Sequence, residues 1–190
     1  MEKNTMIIAV VAVIAVVAVA GVAIVLMGDD NNNNNNNNDD DTKFDHEGKW
    51  VEQGEGAAGK LVIKEDELSG WTSKTRDIRD NGYDIYFKNG NDLQAIISLT
   101  IHDNLDAAKE RYTQNKGYAE SDYDILSFKK CEQAYMYDYV QYTMYVFQDL
   151  NVYVYFEIQD GVNEQDMNAL ADKIASLLTE RIHAAAVAIA

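Results

Sequence analysis

The side chains with a chemical pattern are tyrosines. The chain carries 12 of them, and seven crowd between Tyr135 and Tyr155. Tyr135, Tyr137 and Tyr139 alternate, which puts them on one face of a strand. Tyr153 and Tyr155 alternate against Val152, Val154, Phe156 and Ile158, so the last strand has a tyrosine face and an apolar face. Tyr145 is placed to join the set. A phenol ring has a flat apolar body and a polar tip, so an open tyrosine row suits sugars, peptides or cell-wall polymer. Under a helix the same row is packing, because half-buried strands favour Tyr in any case. Whether Tyr135, Tyr137, Tyr139, Tyr145, Tyr153 and Tyr155 are open or covered separates the two readings.

Other chemistry is thin. His46, His102 and His183 have no ligand spacing, and a metal site needs three or four convergent ligands. Cys131 with His102 would make a nucleophile–base pair, but Lys130 and Glu132 flank the thiol as in an ordinary strand. Asp77-Ile78-Arg79-Asp80-Asn81-Gly82 resembles a calcium loop only in part. Arg79 stands where an oxygen ligand is needed, and Lys88 where a bidentate Glu belongs, so a turn is expected. Gly54, Gly56 and Gly59 follow no clear strand, which argues against a phosphate cradle. No cofactor is implied and no enzyme is expected. A hydrolase would require a cleft with convergent acids or a Cys–His pair.

The elements that must hold the tyrosines read as an α+β domain with a mostly antiparallel sheet and two packed helices. Lys60–Lys64 is a short strand candidate, followed by an irregular stretch anchored by Trp71. Asp84–Lys88 is a strand, Asn89-Gly90 its hairpin turn, and 91–101 the return strand with apolar odd positions. A helix opens at Asp103, with Asp106 in its first turn and Gly117 at its stop. Leu105, Ala108 and Tyr112 share its inner face. Strands follow at 131–140, 142–147 and 152–158, with Gln148–Asn151 as a hairpin loop and a further short strand near 124–128. Asn163 caps the closing helix, in which Met167, Leu170, Ile174, Leu177, Leu178 and Ile182 recur at helical spacing. Ala184–Ala190 extends that helix or frays from it. With no proline in the chain, turns fall to Gly, Asn and Asp.

Met6–Met27 contains no charge and no polar face. As a helix it reaches roughly 33 Å, enough to cross a hydrocarbon core of about 30 Å. Ala18-Val19-Ala20 before Gly21 has the look of a signal cleavage site, yet the apolar run continues past it. A retained anchor is expected. Lys3 precedes the span and no Lys or Arg follows until Lys43, which puts the N-terminus in the cytoplasm and the domain outside. The Asp/Asn run of 29–42 has nothing to bury and reads as a flexible tether. The chain therefore divides into a cytoplasmic start at 1–5, a transmembrane helix at 6–27, a linker at 28–43 and an extracytoplasmic domain at 44–190. A net charge of −16 repels phosphate backbones, so no nucleic-acid partner is expected; the charge serves solubility alone or attracts cations or basic partners.

The run AIISLTIHDNLDAAKERY, then EQAYMY, the hairpin VFQDLNVYVYFEI and the helix DMNALADKIASLL resemble the PsbP-like and LpqN-type lipoprotein group. In that group helices sandwich an antiparallel sheet. The apolar segment and its Asn/Asp tether resemble archaeal anchored surface proteins. The resemblance implies a binding or scaffold domain without shared catalytic residues. One departure is plain: a membrane helix stands here where the group has a lipid-acceptor cysteine. The expected function is a membrane-anchored extracytoplasmic binding or interaction module for an envelope protein, peptide or glycan. The alternatives are an envelope structural subunit docked on a membrane partner, and a hydrolase.

Overall fold

The computed structural model describes residues 48–128, 133–161 and 164–188. Met6–Met27, the tether, His46, Cys131 and Asn163 lie outside them. Among the described residues no helix is long and apolar enough to cross a membrane.

The domain is α+β. Seven antiparallel strands form one sheet in the order β2-β3-β4-β8-β7-β6-β5. They are β2 (Trp71–Arg79), β3 (Gly82–Asn89), β4 (Gln94–Ile101), β5 (Leu126–Ser127), β6 (Gln133–Tyr139), β7 (Tyr142–Asp149) and β8 (Val152–Gln159). Helix α1 (Leu105–Asp122) and helix α2 (Glu164–Ala185) complete the frame. A separate pair joins β1 (Lys49–Val51) to β9 (Ala186–Ala188).

The sheet has two faces because side chains alternate along each strand. On one face Ile85, Ile97, Val154, Phe156, Tyr145 and Phe147 are buried beneath α2. That helix contributes Ala171, Ile174, Ala175, Leu178 and Ile182, a stripe at helical spacing, as its sequence period predicts. The other face receives α1, whose buried residues are only Ala108, Tyr112 and Ala119. Two alanines let the helix approach closely, and its remaining polar surface gives it no reason to cover more. It lies over β7 and β8, with Tyr135, Val146 and Tyr153 beneath it.

Several local expectations need correction. Residues 58–61 form a 3-10 turn and 62–64 continue without strand pairing. Leu61 and Ile63 are fully buried there, so burial in a loop explains an apolar run that also fits a strand. Trp71 begins β2, an edge strand interrupted by a bulge between Ser73 and Thr75, and not an irregular stretch. The turn after Asn89 has three loop residues. Asp92, not Gly90, takes the left-handed conformation (φ 64°), and the Asn89 side chain accepts from the amides of Asn91 and Leu93. Helix α1 is capped by Asn104, whose Oδ1 accepts from the Ala107 amide at 2.8 Å, and not by Asp103. It runs through Gly117 to Asp122, since nothing at that glycine requires a positive φ. Leu105 is largely exposed.

The chain's end differs most. Residues 186–188 leave the helix and pair with 49–51 as β9. The loop expected at 148–151 shrinks to Leu150 and Asn151, both buried. Asn151 acts as a strand surrogate. Its Oδ1 accepts from the Val51 amide at 2.7 Å, and its Nδ2 donates to the carbonyls of Val51 and His102 at 2.9 and 2.7 Å. One amide side chain thereby satisfies backbone groups of β1 and of the residue after β4, which otherwise would be buried without partners. Gly82 is required by a close approach: a Cβ there would fall 2.7 Å from the Leu99 carbonyl oxygen.

Candidate functional site

The tyrosines divide by location. Tyr145 faces the opposite side from the rest, stacked on Phe156 with centroids 4.9 Å apart and edge-on to Phe128. It belongs to the α2 core because odd positions of β7 face that way, as in the pairing of Tyr145 with Phe156. Tyr135 and Tyr153 sit beneath α1 with Tyr112, Ala119 and Val146. Tyr153 accepts a hydrogen bond from Asn115 at 2.5 Å, and the Arg111 guanidinium lies 5.8 Å from its ring centroid. Burial pushes the hydroxyls of both Tyr135 and Tyr153 far above the usual phenol range. Tyr137 and Tyr155 are half-buried at the margin of α1, and Tyr139 is exposed. Tyr137 stacks on Tyr123 at the end of α1, with centroids 5.0 Å apart.

Strand register builds a second tyrosine set beside the margin. Tyr86 on β3 pairs with Ile96 on β4, Ile96 with Glu157 on β8, Glu157 with Met144 on β7, and Met144 with Tyr137 on β6. The next row carries Lys88, Gln94, Gln159, Tyr142 and Tyr139 in the same strand order. The strip spans five strands, roughly 19 Å at the usual strand spacing. Tyr86, Ile96, Met144, Tyr137 and Tyr142 are all half-buried, so their apolar bodies still meet solvent.

Glu157 stands in the middle of this strip and is only 8% exposed. Among the described residues no hydrogen bond or ion pair reaches its carboxyl. Burial alone pushes its pKa up to about 7, since no neighbouring cation offsets the loss of water. Four phenols surround it. Burial raises the hydroxyls of Tyr86, Tyr137, Tyr142 and Tyr155, and the Glu157 charge raises each of them further. Lys88, on the same face two strands away, is held by Asp92 at 2.5 Å. On the other side, the Tyr155 hydroxyl is bonded to Ser98, which donates to Asp84 at 2.5 Å, and Arg79 holds Asp84 in turn. Two residues beyond Glu157, the Gln159 Oε1 is sealed from solvent with no donor.

The remaining titratable candidates are structural. His183 meets the buried Asp149 at 2.9 Å, and Arg181 forks onto Glu67 and the Val62 carbonyl. Burial, and after it the Arg111 charge, push the His102 pKa down, against Asp103. Among the described residues no group of three or more His, Cys, Asp or Glu is placed to hold a metal.

Glu157, Tyr86, Tyr142 and Met144 were not legible as site residues. Glu157 occupies a position of β8 where alternation alone predicts an ordinary exposed side chain. Its one signal is that it carries the only charge in VYVYFEI, inside a run of aromatic and β-branched residues.

The fold and the strip define an α+β domain with one sheet face half open. Compared with known proteins, the chain matches no family model, no curated protein and no solved structure.

Proposed function

We propose that the chain is a binding module tethered to the outer surface of a membrane, with the uncovered strip of its sheet as the ligand face. The observation that carries this reading is Glu157. A carboxyl in a folded domain is either left to water or given a partner, because burying it alone costs several kcal/mol, of the order of its displaced pKa or more. Here the residue is 8% exposed among half-exposed aromatic and aliphatic side chains, and its carboxyl has no partner among the described residues. Tension of that kind concentrates at functional sites. The half-open tyrosine surface supplies contact area at low side-chain entropy, as ligand-binding surfaces do. The charge-free span of 6–27 and the polar 28–43 supply the tether in this reading.

The test is an array of envelope glycans and peptides probed with the full chain in detergent. Hits should disappear in a Tyr86→Ala/Tyr142→Ala double variant that keeps its circular dichroism. Hits that survive this double variant would place the ligand elsewhere and overturn the reading.

A further inference from the structure

We infer that the strip receives a lysine side chain of a partner polypeptide, with the ammonium group seated on the Glu157 carboxylate. The inference rests on the ligand face proposed above and specifies what that face takes.

Three features select the ligand. The first is charge. An unpartnered carboxyl in an aromatic frame attracts a cation, and phenol faces add to the attraction. The second is hydrogen-bonding capacity. Among the described residues the Glu157 oxygens have no hydrogen-bond donor, and the neighbouring Gln159 Oε1, sealed from solvent, has none either. The two side chains point the same way from β8, roughly 7 Å apart along the strand. A quaternary ammonium has no N–H and would leave the carboxylate without a donor. A protonated primary amine has three donors and can serve both carboxylate oxygens. The third is extent. The strip is far wider than an alkylammonium ion, so the chain that carries the amine must cover the rest. A lysine stem lies along apolar surface while its head seeks the charge, and Ile96, Met144 and Tyr86 offer that surface.

The surroundings agree in sign. The strip continues past Tyr137 to a hollow lined by Asp122, Tyr123, Asp124, Leu126 and Asp138. Of the charged groups on β3, two strands away on the same face, Lys88 pairs with Asp92 and Asp84 with Arg79. Ionisation of Glu157 on docking places opposite charges together in a desolvated position, where pairing is strongest.

The full chain, labelled with 13C-methyl methionine and held in detergent micelles, provides the test through the Met144 methyl resonance. Three probes are titrated: the peptide acetyl-Ala-Ala-Lys-Ala-Ala-amide, the same peptide with Nε-acetyl-lysine, and butylammonium chloride. The free-lysine peptide should shift Met144 saturably and bind about tenfold more tightly than its acetylated form. Glu157→Gln should erase that difference while leaving the fold intact. In the wild type the preference should shrink between about pH 8 and about pH 5, as the carboxyl takes up its proton. Equal binding of the two peptides overturns the lysine assignment but leaves the strip as a ligand face. Binding of butylammonium as tight as that of the peptide also overturns it, in favour of a free amine. Silence at Met144 from all three probes overturns it, and the array then decides the wider reading independently.

Discussion

Tyr135 and Tyr137 stand two residues apart on β6, face the same way and end in different environments. Tyr135 lies beneath α1, 1% exposed, edge-on to Tyr112 with centroids 5.4 Å apart. Tyr137 looks out past the end of that helix and joins the strip around Glu157. The difference comes from α1, not from the strand. Its buried side is a narrow line of two alanines and one tyrosine, so it covers one half of the sheet face and stops. The same residue type thus serves as packing in one half and as exposed surface in the other. What separates the halves is how each responds to loss of a side chain or a charge.

The largest response is expected from the opposite, fully buried face. Phe156 is 0% exposed and stacked on Tyr145. Phe156→Ala should lower unfolding stability by roughly 3–5 kcal/mol, through lost transfer energy and the cavity left behind. Urea unfolding of the full chain in micelles, followed by near-UV circular dichroism, measures it. A loss below about 1 kcal/mol would mean that the face under α2 is not the core.

A change of opposite sign is expected at Glu157. Burial raises the pKa of this acid from 4.5 to about 7 in the folded chain. Between those values the folded state holds more protons than the unfolded state. Stability therefore falls as pH rises through that window, and the loss is complete above it. Glu157→Gln has no proton to lose. The variant should match the wild type near about pH 4 and exceed it by roughly 2–3 kcal/mol near about pH 8. Parallel pH profiles for the two proteins would show that Glu157 is not held in a costly state, and the contrast between the two halves would lose its chemical meaning.

The sequence made part of this legible. Alternation in β4 and β8 and the helical period of α2 were plain, because each of these elements buries one face against a large core. The polar run of β2 hid a strand, since an edge strand with a bulge needs no clean alternation. The apolar Leu61 to Ile63 suggested one where there is only a buried turn. The tail at 186–188 gave no hint of pairing with 49–51, a contact that spans nearly the whole domain. The site shows the same limit. A tyrosine face was readable from β6 and β8 alone. Its division was not, because what covers or encloses each ring comes from α1, β3 and β7. Glu157 shares its row with Tyr86, Met144 and Tyr137, which only strand order brings together.

The smallest stability change is expected where the proposed binding change is largest. Tyr86 is half-buried at one end of the strip, beside Ile96 and across β4 from Glu157. It lies close enough to feel the Glu157 charge, so Tyr86→Ala has two opposed consequences. It removes some apolar contact, which costs stability. It also returns water to Glu157, which relieves the cost of ionising it. The two offset each other, and the net change at about pH 8 should stay below about 1 kcal/mol. The carboxyl itself should titrate lower than in the wild type, readable from the 13C shift of labelled Glu157. A large loss of stability, with the Glu157 titration unmoved, would make Tyr86 a packing residue like Tyr135. The open half of the face would then be an extension of the covered half.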